Sequence, residues 1–66
     1  AQALPLLEEA VRLDPLSTEA HLLLSMVLLR LNRTDRAAAA AREAYRLDPQ
    51  HEGVRKLLDR FATIVD

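Results

Sequence analysis

Apolar residues recur along this chain at helical spacing, in four stretches parted by short polar breaks. In the first, Gln2 to Leu13, the stripe is Leu4, Leu7, Ala10 and Val11, with Glu8, Glu9 and Arg12 outside it, as in a helix with one buried face. Pro5 fits there because it falls in the first turn, where backbone N–H groups have no intrahelical partner. Asp14-Pro15 ends the helix, since a residue before proline is pushed out of the α region. The second helix, Thr18 to Leu31, takes Asp14, Ser17 or Thr18 as its cap and is apolar nearly all round, which predicts cover on more than one side. Asn32 is the expected left-handed residue behind it, in a turn to Thr34. A third helix, Asp35 to Leu47, capped by Thr34 or Asp35, carries Ala37 to Ala41 and Ala44, so little side chain that a neighbour can come close. The fourth, Gln50 to Val65, has Val54, Leu57, Leu58, Phe61, Ile64 and Val65 as its stripe, with Gly53 in the first turn.

Two of the breaks are the same word. Arg12-Leu13-Asp14-Pro15 returns as Arg46-Leu47-Asp48-Pro49, and each copy is preceded by a Glu-Ala pair, Glu9-Ala10 and Glu43-Ala44. The interval from Arg12 to Arg46 is therefore a period of the sequence. A fixed period of this size marks a repeat architecture, in which each unit buries its apolar face by stacking on the next. Short connections make successive helices antiparallel neighbours. With 66 residues the chain is one domain at most, and with one Phe, one Tyr and no Trp its core must be built from Leu, Val and Ala. The fold class is all-α, four helices in antiparallel helix-turn-helix repeats.

A helix-turn-helix period of this length, ending in Leu-Asp-Pro, resembles the tetratricopeptide repeat. In that resemblance Thr18 to His51 is the complete repeat, with Leu24 at the family's leucine place, Ala37 and Ala44 at the small-residue places of its second helix, and Pro49 at the terminal proline. Ala3, Ala10 and Pro15 are the corresponding residues of a partial first repeat. The sequence departs from the pattern at His21 for Trp, Ser25 and Asp59 for a small residue, Leu28 for Tyr and Ala41 for Phe. The expected division is 1–17 as the second helix of one repeat, 18–51 as the complete repeat, and 52–66 as the first helix of a third repeat or a capping helix. Because stable arrays use about three repeats, the expectation is a fragment of a longer α-solenoid, a small capped module, or a chain that completes itself by association.

Composition narrows the chemistry. A formal net charge of −1 gives no global field to draw nucleic acid or an acidic membrane surface, and no apolar run approaches the roughly 20 residues that span a bilayer. The lack of cysteine removes thiolate chemistry and fits a reducing compartment, so a cytoplasmic location is the expectation, with no signal peptide in view. His21 and His51 stand alone without a metal-ligand spacing, Ser17 and Ser25 have no base at a catalytic spacing, and one glycine makes no phosphate-cradling loop. No enzyme, cofactor or metal is expected.

What remains is a surface. The resemblance implies that the first helix of each repeat lines a concave groove, which places Glu19, Leu22, Met26, Leu29 and Arg30 there, with Lys56, Arg60 and Thr63 from the last helix. Leu22, Met26 and Leu29 form one apolar stripe, exposed if the groove is empty. It is read as the floor for a partner peptide or helix, against the plainer reading of cover by another helix of the array or by a second copy. Lys56 and Arg60 lie one turn apart, placed to meet a carboxylate or, more plainly, as a solvated face near Glu52 and Asp59. The carboxylate clamp of some family members looks absent, as the only Asn is Asn32 at a turn.

Overall fold

The computed structural model describes the backbone of residues 3–65, with side chains through Ala62. Gln2 as a helix start, and the side chains of Thr63, Ile64 and Val65, lie outside the described residues. Four helices follow one another: α1 (Ala3–Leu13), α2 (Thr18–Arg30), α3 (Thr34–Leu47) and α4 (Glu52–Val65). They form a slab measuring 33 × 27 × 14 Å. The pairing α2 with α3 is the most extensive, followed by α1 with α2 and α3 with α4, while α2 also touches α4. Helix α2 is thus covered from three sides, as its all-round apolar pattern requires.

The two copies of Arg-Leu-Asp-Pro build the same turn twice. The N–H of Asp14 donates to the carbonyl of Ala10 at 3.0 Å, and that of Asp48 to Ala44 at 3.0 Å, closing each helix. Each aspartate side chain then accepts from the backbone two residues on, Leu16 at 3.3 Å and Gln50 at 3.2 Å. Ser17 caps α2 by accepting from Ala20 N–H at 3.2 Å. At the matching place in the next repeat, His51 Nδ1 accepts from Val54 N–H at 3.3 Å. The fourth helix accordingly starts at Glu52, two residues later than the apolar pattern suggests, because the turn at Pro49 and Gln50 and the His51 cap come first.

Helix α2 closes through Asn32, whose φ of 62° is left-handed as expected. Arg33 N–H reaches Leu28 O at 2.9 Å and Asn32 N–H reaches Leu29 O at 3.0 Å, the paired bonds of a Schellman ending. Leu31 stands at the cap, outside the helix. The third helix departs from expectation by starting at Thr34, so Thr34 and Asp35 are inside it and Arg33 takes the N-cap without a side-chain bond. Asp35 still sits in the first turn, where its charge suits the helix dipole.

The core runs along the α2–α3 seam. Ala37, Ala41 and Ala44 are fully buried, and around them pack Leu22, Leu28, Val54, Leu57 and Phe61. With methyl groups on one side, the helices approach closely enough for Ser25, itself fully buried, to donate from Oγ to the Ala37 carbonyl at 2.7 Å. His21 is buried as well, its Nε2–H donating to the Pro15 carbonyl at 2.8 Å, which ties the turn to the helix after it. No buried side-chain N or O among the described residues lacks a partner.

Salt bridges decorate the surface. Arg12 pairs with Glu9 and Arg46 with Glu43, once per repeat, and Arg36 reaches from α3 to Glu8 on α1 at 2.8 Å. Arg46's hydrogen bond, aided by its charge and less by that of His21, holds the Glu43 carboxyl below its ordinary value despite opposing desolvation; Arg46 is raised in turn.

The seam and the surface pair can each be tested by substitution. Ser25→Ala should cost about 0.5–1.5 kcal/mol in urea denaturation, the net worth of one hydrogen bond. Ala41→Leu should cost about 3 kcal/mol, since a fully buried methyl site facing a helix has no room to give. A carboxylate lowered in the folded state stabilises the fold above the ordinary carboxylate value and loses that contribution as pH falls from there through its lowered one. Glu43→Gln should therefore remove a small part of the acid-side fall in melting temperature, a difference that vanishes at high salt because the pair is exposed.

Candidate concave groove

Helices α2 and α4 are both first helices of the repeat frame, and they meet edge to edge at Gly53. A Cβ on Gly53 would lie 3.4 Å from Leu22 Cδ2, an ordinary van der Waals contact, and 3.1 Å from His51 Cε1, so Leu22 packs against α4 here and the tight neighbour of Gly53 is the imidazole. Beside that contact a cleft of about 220 Å³ opens, lined by Leu22, Met26, Gly53, Lys56, Leu57 and Arg60. Leu22 and Leu57 are buried and form its floor, and Met26 is 38% exposed at its edge. Lys56 and Arg60 are both exposed on the other wall.

Of the eight residues placed in the groove from the sequence, Thr63 has its side chain outside the described residues, and four come together: Leu22, Met26, Lys56 and Arg60. The other three do not line the cleft. Leu29 is half-buried and packs against the core one turn further along α2, and Arg30 is exposed at the helix end. Glu19 sits at the opposite end, its carboxylate accepting from His51 Nε2 at 3.1 Å. That bond joins the N-terminus of α2 to that of α4 at the exposed end of the groove. The expectation of a fully open stripe is corrected at Leu22, which α4 covers, and at Leu29, which is partly covered. Spacing along one helix could place these residues on a common face, but it held no measure of how near the next helix comes. Gly53 and Leu57 were missed as lining residues. The signal for Gly53 was present, as glycine in a helix marks a close approach as readily as a tolerated cost.

A larger concavity, about 560 Å³, lies along α4 between Gln50, Glu52, Arg55, Lys56 and Asp59. All five are polar and come from one helix and its entry turn, so it has no second wall and reads as a solvated face. Among the described residues no three His, Asp or Glu side chains gather as a metal site, and no helix is long and apolar enough to cross a membrane.

In comparisons with known proteins, neither a curated protein nor a solved structure matches the chain. The family description "Tetratricopeptide repeat" matches residues 1–52, which take in α1, α2, α3 and the turn into α4. Four antiparallel helices with no strand among the described residues, the turn repeated once per period, and that match agree: this chain belongs to the tetratricopeptide repeat family.

Proposed function

We propose that this chain is a binding module that takes a partner peptide or helix in the cleft between α2 and α4, one apolar side chain seated on Leu22, Met26 and Leu57 and a carboxylate facing Lys56 and Arg60. Repeats of this family generally mediate protein–protein interaction and typically serve as non-catalytic scaffolds. The observation that carries the finer reading is the division of the cleft into an apolar floor and a cationic wall. At about 220 Å³ it is smaller than the roughly 300–1,000 Å³ of ordinary small-molecule sites, and it suits one side chain of a longer ligand. Affinity then comes from burial at the floor, and selectivity from the rim charges, Arg30 included. In this reading 18–51 is the working repeat, 1–17 its N-terminal support, and 52–66 both the second wall and the closing helix.

A second copy of the chain is the rival occupant of the same cleft. It would need a prominent apolar face to offer, and the most exposed large apolar side chains among the described residues, Leu6, Leu13 and Leu16, lie well outside the cleft on α1 and the turn after it.

Panning a displayed library of short random peptides on the immobilised chain should enrich peptides with Leu, Ile or Phe near Asp or Glu. Met26→Glu should weaken the best such peptide by about tenfold or more, and Lys56→Glu with Arg60→Glu should weaken acidic peptides selectively, with circular dichroism unchanged. Selected peptides that bind both variants as well as the parent chain would sink this assignment.

A further inference from the structure

Helices α1 and α3 both pack on α2 but, among the described residues, not on each other, and the ion pair of Arg36 with Glu8 spans the gap between them. The gap is a notch of about 300 Å³. Val11 stands on its α1 wall and Leu24 and Leu28 on its floor, while Ala39 and Ala40 bring only methyl groups to the α3 wall, too little to fill it.

The notch does not belong to the ends of the array. At about 100° per residue, His21, Leu24 and Leu28 lie on the side of α2 turned away from Leu22 and Met26. By the repeat, a first helix ahead of α1 meets α2 through Glu19, Leu22, Leu23 and Met26, the places that in α4 are Gly53, Lys56, Leu57 and Arg60 and line the cleft with α2. A second helix after α4 lies beyond α3, on the side away from α1. A longer array therefore leaves the notch open.

One polar group indicates what the notch takes. His21 is 7% exposed, and its Nε2–H is spent on the Pro15 carbonyl, which leaves Nδ1 of the neutral ring as an acceptor. Nδ1 has no partner among the described residues, and it is not sealed in, because no enclosed side-chain N or O there lacks one. The opening that His21 lines is the notch. Rim charges are already matched, Glu43 by Arg46 and Arg36 by Glu8. The site thus offers an apolar slot, one unused acceptor and no net charge, which disfavours an ammonium or a carboxylate. It suits a flat apolar ring with a single donor and no acceptor, and indole is that ring. Arg36 at the rim can rest its guanidinium on the ring face.

We propose that the notch between α1 and α3 is a second binding site, on the face opposite the cleft, and that it takes the indole of a tryptophan on a partner polypeptide, with the indole N–H donated to His21 Nδ1. The chain has no tryptophan, so a second copy cannot supply the ring. The slot has no lid, so a seated ring keeps one edge at the surface, where the backbone that carries it continues.

N-Acetyltryptophanamide is the probe, and its fluorescence is the only indole emission in the mixture because the chain has no tryptophan. Titrated with the full chain, that emission should shift to the blue and saturate with a dissociation constant of about 0.1–10 mM, the range of one side chain on an open surface. In methyl NMR spectra Val11, Leu24 and Leu28 should move and Met26 should stay, and Met26→Glu should leave the affinity unchanged. Ala39→Leu, at an exposed position of the wall, should weaken binding at least about fivefold by filling the slot, with circular dichroism unchanged. The acceptor is tested in the ligand, because His21 also holds the turn at Pro15: the probe methylated at its indole nitrogen should bind about threefold to tenfold more weakly. No saturation, or shifts centred on Leu22, Met26 and Leu57, overturns the site. Equal affinity for the methylated probe overturns the role of His21. Tighter binding of N-acetyltyrosinamide overturns the indole assignment in favour of a phenol, such as Tyr45 of a second copy, and tighter binding of free indole overturns the polypeptide source.

Discussion

The close approach of α2 and α3 is the constraint on which the rest of the structure rests. It exists because α3 presents methyl groups where an ordinary core helix presents leucines, with Ala37, Ala41 and Ala44 fully enclosed. At that separation a serine hydroxyl on one helix meets a main-chain carbonyl on the other, and Ser25 commits its only donor there. The small residues fix the distance and the hydroxyl fixes the register. Bulk must then come from the other partner, which is why α2 is leucine-rich all round and why it draws helices to its remaining sides. Helices α1 and α4 are held mainly by what α2 and α3 leave uncovered.

Much of this was legible in the sequence, because the repeat supplies its own frame. Once Asp14-Pro15 and Asp48-Pro49 are set in register, helix order, the antiparallel pairing and the left-handed Asn32 follow from local chemistry. What escaped was decided by contacts between helices. His51 gave no sign that it would serve as a cap, since its matching residue is Ser17 and a histidine's role depends on which neighbours its two nitrogens find. His21 likewise looked isolated along the chain, yet it is the buried donor to Pro15. Arg33 at the N-cap runs against preference, and the Schellman bond that its N–H makes to Leu28 accounts for its position.

The repeat frame also explains the character of the groove. Positions that are Leu22 and Met26 in α2 are Lys56 and Arg60 in α4, so the same two places are apolar on one wall and cationic on the other. A perfect repeat would have made both walls alike, giving either a greasy trough that closes on itself or a charged channel with no floor. Divergence at two positions, with the fold left intact, leaves an apolar wall beside a cationic one.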